Sequence, residues 1–296
     1  MADIQDLKSQ NLFNIKGWVA VVTGGGTGLG LFTATALAAN GVKVYITGRR
    51  AEKIKSAGMQ DSESGGSITA IQMDVTDKNS IKEVVKTISE KEKFVNLLVN
   101  NAGATSVNYG NIEGGTKQWT PGGDPKEVSE KMLSYQDFDD WTSIYKVNVA
   151  SIYFTSMAFL PLLCAAREHG YQEAGNVINI SSISGLTKES QWGQFSYNAS
   201  KAATISLTEQ LAVELKNPGL EVRVNTIAPG YFPSEMTPID QYANEQKPYW
   251  REQWGIPFGR AGARQDYAQA IIGLAVNKYC SGSTLTIDGG YLLAHP

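Results

Sequence analysis

The chain has 296 residues, 42% of them hydrophobic, and 26 lysines and arginines against 29 aspartates and glutamates give a net charge of −3. That length buries a sizeable core, as one large α/β domain or two small ones, and the even charge balance offers no bulk electrostatic case for nucleic acid or an anionic membrane as partner. The two cysteines, Cys164 and Cys280, lie in apolar stretches, and the two histidines, His169 and His295, lie at a helix end and at the terminus, so buried free thiols are expected rather than a disulfide framework, and no metal.

Residues 1–16 read as a polar extension with Leu12, Phe13 and Ile15 as apolar anchors. They lack an apolar run after a basic start, and no stretch of the chain approaches 18 continuous apolar residues, so a soluble cytoplasmic protein is expected. From Trp18 to Thr23 a β-branched run, WVAVVT, predicts a strand buried on both faces of a parallel sheet. It leads into TGGGTGLG, and Leu31 to Ala39 then reads as a helix stopped by Asn40 and Gly41. In that loop Gly24 allows the tight turn, Gly28 lets backbone approach a pyrophosphate, and Gly30 lets the helix pack close to the sheet. Backbone N–H groups at the helix start face the phosphates.

The alternation continues with strands at Val42–Thr47, Ile68–Met73 and Val95–Val99 and a helix at Asp77–Glu90. Later strands are expected at Asn176–Ile180, Glu221–Ile227 and Thr284–Ile287, and long helices from about Phe138 to Arg167 and Phe195 to Lys216. This pattern predicts a single Rossmann-type, doubly wound parallel sheet of about seven strands with helices on both faces. Two stretches interrupt it. Residues 105–136, rich in Gly, Asn, Thr and Pro, read as an inserted loop, and 233–262, with aromatics between prolines and glycines, as a substrate lid, an oligomer contact or a satellite core.

The second strand ends in Gly48, Arg49, Arg50, with no carboxylate to hold a ribose 2′-hydroxyl. Arginine there suits a 2′-phosphate, so NADP(H) is expected with Arg49 as its contact, the other reading being a solvated pair at a helix start. Asp74 is placed to hydrogen-bond an adenine amino group. Within SYNASKAA, Tyr197 and Lys201 stand four residues apart, on one helix face. A phenol beside a fixed cation gives up its proton more readily, which suits an acid–base role, although the same spacing occurs on ordinary solvated helices.

These motifs together resemble the short-chain dehydrogenase/reductase family: TGGGTGLG, MDVTD at 73–77, NNAG at 100–103, Asn148 in KVNVAS, ISS at 180–182, YNASK at 197–201, APG at 228–230 and IDGG at 287–290. Their order and spacing span most of the chain, and the wording is similar to microbial and fungal 3-oxoacyl-reductase-like members. The resemblance implies a catalytic set of Asn148, Ser182, Tyr197 and Lys201. Tyr197 passes a proton to the carbonyl oxygen, Lys201 tunes it and holds the nicotinamide ribose, Ser182 polarises the carbonyl, and Asn148 anchors a water. It also implies cofactor contacts from Thr23, Gly26, Thr27, Leu29, Val75, Asn101, Ala102, Gly103, Pro229 and Gly230.

The family serine usually lies thirteen residues before the tyrosine, where this chain has Ser184; Ser182, placed by its strand and three residues before Gly185, is preferred. Ser184, Trp192, Phe195, Tyr231, Trp250 and Trp254 are expected around a mostly apolar, aromatic substrate pocket. The implied activity is NADPH-dependent reduction of a ketone or aldehyde on a hydrophobic small molecule. Alternatives are the reverse alcohol oxidation, a secondary-metabolism reductase that also dehydrates or cyclises, and a silent NADPH-binding regulator. A homotetramer or dimer is implied as well.

Overall fold

The structure, a computed structural model, describes residues 4–60, 63–105, 123–191, 193–234 and 247–295. Its centre is a sheet in the order β3-β4-β2-β1-β5-β6-β7-β8. The strands are β1 (Val19–Thr23), β2 (Lys43–Gly48), β3 (Met59–Gln60), β4 (Ser67–Gln72), β5 (Leu97–Asn100), β6 (Asn176–Ile180), β7 (Arg223–Pro229) and β8 (Thr284–Ile287). All but β3 run parallel; β3 is a two-residue antiparallel edge on β4 that the sequence reading missed. β1 pairs with β2 on one side and β5 on the other. The winding reverses there, which opens a crevice at the carboxyl ends of these strands.

Every residue of β1, β5 and β6 is buried. These strands lack a polar face because helices cover both sides, and alternate side chains feed two separate cores. Ala20 and Val22 join Leu37 of α2 (Gly28–Ala39) and Ile271 of α10 (Arg264–Val276). Val19 and Val21 join Ile81 of α4 (Lys78–Ser89), Phe159 of α7 (Ser151–Cys164) and Leu211 of α8 (Phe195–Leu215). Each such buried Val, Leu, Ile or Phe side chain contributes about 1.5–3 kcal/mol.

Within the N-terminal extension, α1 (Ser9–Leu12) precedes Ile15, which is fully buried, while Leu12 and Phe13 stay about half exposed. Of the three expected anchors, Ile15 is the one that docks in the core. α3 (Ala51–Ser56) follows β2. The inserted loop expected at 105–136 needs correction, because Pro125–Tyr135 is a helix, α5. The Asp124 side chain accepts from the Lys126 N–H, and Pro125 at the first helical position lacks only an N–H that has no intrahelical partner there. Residues 106–122 of that stretch lie outside the described residues.

α6 (Phe138–Tyr145) runs through a π turn, Lys146–Ala150, into α7 and a 3-10 turn, Ala165–His169. By length and composition the whole Phe138–His169 run suffices to cross a membrane. In the fold α7 packs against α4 and β5. Cys164 and Cys280 are free and only partly buried.

Beyond the sheet, α9 (Lys247–Gln253) and α11 (Tyr291–Ala294) bring Trp250 and Tyr291 together with Ile183, Ile256 and Ala261 in a third apolar cluster. Of this cluster, Ile183 and the Tyr231 packed against it also line a cavity beside Tyr197.

Candidate active site

Thr23 ends β1, and its Oγ1 accepts from the N–H groups of Asn101 and Ala102, both at 3.0 Å. In return, the Asn101 side-chain amide donates to the carbonyls of Thr23 and Gly24. The loops after β1 and β5 are thus bound to one another at the reversal point. Gly24 and Gly28 have φ of +64° and +52°, the left-handed region. A Cβ on Gly30 would lie 2.2 Å from the Gly24 carbonyl oxygen and 2.4 Å from Asn101 Nδ2. Both neighbours are held by the loop pairing. Gly30→Ala gains about 1 kcal/mol of helix propensity but is expected to lose roughly 3 kcal/mol to overpacking, so its thermal midpoint should fall.

Thr27, the residue before α2, makes no side-chain cap, so it leaves first-turn N–H groups of a twelve-residue helix uncapped where Thr27, Gly28 and Leu29 line the cleft. The cleft there has a volume of about 570 Å³. Gly24, Gly26, Thr27, Gly28, Leu29, Arg49, Asp74, Val75, Asn101, Ala102, Gly103, Tyr197 and Lys201 all border it. Thr23 and Gly30, also expected as cofactor contacts, do not line it and instead hold the Gly24–Asn101 loop pairing together. Arg50 and Lys53 also line it, and Arg50 Nη2 reaches Thr27 Oγ1 at 3.5 Å. Sequence reasoning singled out Arg49 alone; the turn into α3 brings all three cations to one rim. Asp74 Oδ1 accepts from the Thr76 N–H at 2.8 Å and the Thr76 hydroxyl at 2.7 Å. Burial alone raises its pKa, but these bonds, with the charges of Arg49 and Lys146, outweigh it and hold the carboxyl below the usual range. Glycine backbone, helix N–H groups, an ionised acceptor and a cationic rim fit a dinucleotide laid across the reversal point.

At the other end of the cleft, α8 carries Tyr197 and Lys201. Lys201 is buried, its Nζ donating to the Ile180 carbonyl at 2.9 Å and standing 5.7 Å from the Tyr197 ring centroid. Desolvation pushes this ammonium down to about 8. Asn148 sits in the π turn, a helix irregularity frequent at functional sites. Its Oδ1 accepts from the Ala104 N–H at 2.8 Å, and its Nδ2 donates to the Ala104 carbonyl and the Ser200 hydroxyl, both at 2.9 Å. That amide therefore clamps the loop after β5 to α8. Within the loop, a Cβ on Gly103 would lie 3.5 Å from Asn148 Oδ1 and 3.6 Å from Lys201 Nζ.

Ser182 and Ser184, the preferred residue and its alternative, are bonded to one another: Ser182 Oγ accepts from the Ser184 N–H and donates to the Ser184 hydroxyl, both at 3.1 Å. With Tyr197 they line a smaller cavity of about 100 Å³, together with Pro229, Gly230 and Tyr231. Leu29, Ser181, Tyr197 and Ser234 border both the cavity and the cleft, so the two spaces meet at the tyrosine.

Several pocket assignments need correction. Trp250 is fully buried in the third cluster, and Trp254 packs edge-on against Tyr231, ring centroids 4.8 Å apart. Neither lines the cavity, because their apolar rings gain more from packing together than from facing solvent. Phe195 is likewise absent from its lining and 38% exposed. Trp192 lies outside the described residues. The cavity wall is also more polar than expected, since Thr105, Gln191 and Gln194 contribute to it.

The profile of the short chain dehydrogenase family matches residues 18–245. The chain belongs to the short-chain dehydrogenase/reductase family. Members are Rossmann-fold oxidoreductases that bind a nicotinamide cofactor. A short-chain dehydrogenase/reductase of Byssochlamys spectabilis, VdtF, is 34% identical, with 99% of each chain covered. The rhamnolipids biosynthesis 3-oxoacyl-[acyl-carrier-protein] reductase of Pseudomonas aeruginosa is 31% identical over 95% of this chain and 98% of its own. Among solved structures, the Pseudomonas aeruginosa RhlG/NADP active-site complex superposes with a TM-score of 0.73 at 28% identity, covering 95% of this chain and 98% of that one.

Proposed function

We propose that this oxidoreductase is an NADPH-dependent reductase that converts a ketone or aldehyde of a small molecule to the alcohol. The observation that carries the reading is that Tyr197 borders both the dinucleotide cleft and the adjoining cavity. A group bound in the cavity therefore lies within reach of the phenol and of a nicotinamide in the cleft. A nicotinamide cofactor held by the residues that line the cleft would supply the hydride for the carbonyl carbon. Tyr197 gives its proton to the carbonyl oxygen, and the Lys201 ammonium stabilises the phenolate left behind. The linked Ser182 and Ser184 hydroxyls orient that oxygen. Asn148, its side chain committed to Ala104 and Ser200, keeps the Gly103 loop close against Lys201.

The choice of NADPH rests on Arg49, Arg50 and Lys53 at the cleft rim, with support from a solved relative in complex with NADP. NADPH oxidation across a panel of carbonyls, with NADH in parallel, tests it. Charge-assisted hydrogen bonds are worth about 1.5–3 kcal/mol. Combined Arg49→Ala and Arg50→Ala substitution should therefore raise the KM for NADPH roughly 10–100-fold while NADH kinetics barely change. Equal use of both cofactors by the unaltered protein would sink the NADPH assignment.

A further inference from the structure

The loop between Ser184 and Tyr197 joins two residues that line one cavity, and its own Gln191 and Gln194 line that cavity as well. Gln191 is buried, with a left-handed backbone at φ 46° that side chains other than Gly, Asn and Asp seldom adopt. Such a turn persists only where its surroundings impose it. From one side α8 does so. The Asn198 side-chain amide donates to the Glu189 carbonyl at 3.0 Å, and the Gln194 N–H and Nε2 donate to the Ser190 and Gln191 carbonyls at 2.8 and 3.1 Å.

From the opposite side the loop meets α11 and His295. Facing a carboxylate, His295 Nδ1 carries a proton and donates to the two oxygens of Glu189 at 3.1 and 3.2 Å. The His295 carbonyl accepts from the Thr187 hydroxyl at 3.4 Å, and that hydroxyl accepts from the Glu189 N–H at 3.1 Å. The Tyr291 hydroxyl accepts from Gln191 Nε2 at 3.5 Å. The imidazole is seated rather than loose: it stacks on the Tyr291 ring, centroids 4.2 Å apart, and its Nε2 occupies the space that a Cβ on Gly255 would fill. Tyr291 also packs edge-on against Tyr231, a second cavity residue, at 5.4 Å.

Resting on the reductase reading, we infer that Tyr291 and His295 are positioning residues for carbonyl binding, which with Glu189 clasp the loop between the serines and Tyr197. No single contact suffices. The ion pair is partly exposed, at 27% and 49% for its two side chains, and the bonds at 3.4 and 3.5 Å are long. They act together because all of them close on one short loop that α8 grips from behind. The effect is also directed. Neither this loop nor α11 borders the dinucleotide cleft, so loosening the clasp disturbs carbonyl binding and spares NADPH.

Substitutions at the clasp test this, assayed with NADPH on ethyl acetoacetate, benzaldehyde and cyclohexanone. Glu189→Ala, His295→Phe, which keeps the ring on Tyr291, and Tyr291→Phe should each raise the KM of the carbonyls reduced by roughly fivefold. kcat and the Kd for NADPH should stay within about twofold. Glu189→Ala combined with His295→Phe should do little more than either alone, since both break one contact. Amide exchange in residues 187–194 should quicken roughly tenfold in each variant, with β6 unaffected. Glu189→Ala leaves α11 whole and decides the matter if the aromatic variants do not fold. The assignment is overturned by carbonyl KM values that do not move, by NADPH affinity falling in step with them, or by effects that multiply in the double variant. Unchanged exchange would remove the clasp alone, whereas NADPH oxidation by none of the carbonyls would remove the reductase reading and the positioning role with it.

Discussion

Tyr197→Phe should lower kcat for NADPH-linked carbonyl reduction by roughly 10²–10⁴-fold, the contribution of a positioned general acid, while NADPH affinity moves by no more than a few fold. The substitution removes one oxygen and leaves the ring. That ring is 9% exposed, bordering both cleft and cavity, so its packing persists and the fold with it. The neighbouring hydroxyls are poor substitutes, since Ser182 and Ser184 are bonded to one another and a serine O–H is a far weaker acid than a phenol. Single-turnover kinetics separate the chemical step from binding, and a fluorescence titration follows NADPH. Retained reduction at near-unaltered rate would remove Tyr197 from the mechanism; a parallel collapse of NADPH affinity would make it a binding residue instead.

The central strands and the glycine loop were legible because their constraints are local. A run such as VAVVT offers no polar face and so reads as a strand covered on both sides, and Gly24, Gly28 and Gly30 answer to a turn, a left-handed backbone and a close approach. Helical spacing put Tyr197 and Lys201 on one face of α8, while their reading as a catalytic pair came from the resemblance carried by the surrounding motifs. What escaped depends on the third dimension. β3 is two residues long and has no periodicity to read. The start of α5 rests on one Asp124–Lys126 hydrogen bond inside a stretch whose Gly and Thr content argues for loop. Aromatics between prolines and glycines look alike whether they close over a ligand or pack inward, and Trp250 packs inward. Gln191 and Gln194 reach the cavity by a tight turn that no pattern of hydrophobicity records.

The position of α8 is set by polar contacts as well as by apolar packing. The Asn100 amide donates to Asn179 Oδ1, the Asn179 amide donates to the Thr208 hydroxyl, and Thr226 Oγ1 donates to that same hydroxyl. Thr204 Oγ1 bonds the Asn148 carbonyl, and Ser181 Oγ bonds the Lys201 carbonyl at 2.7 Å. Hydrogen bonds buried across β5, β6, β7 and α8 tolerate one register only, because a slipped helix leaves them unpaired. This fixes Lys201 at a depth where its charge is costly.

Lys201→Met should therefore have two effects of opposite sign. Loss of the ammonium beside Tyr197 removes the charge that stabilises the phenolate, so reduction should fall by roughly 10²–10³-fold, as for loss of a preorganised electrostatic contact. Stability should move the other way. Burial pushes the folded-state pKa from 10.5 down to about 8. Between those values the unfolded chain holds a proton that the folded one has shed, so the lysine's contribution to stability rises as pH increases through this window. Below about pH 8 its full penalty applies, roughly 3 kcal/mol at about 1.4 kcal/mol per pH unit. Methionine keeps the buried stem and carries no charge. Denaturant midpoints should accordingly favour Lys201→Met over the unaltered protein most strongly near pH 7, with the difference shrinking as pH approaches 10.5. A difference that stays constant from pH 7 to 10.5 would mean that Lys201 keeps its proton in the folded protein throughout, and that the ammonium is stabilised in its site rather than tolerated there.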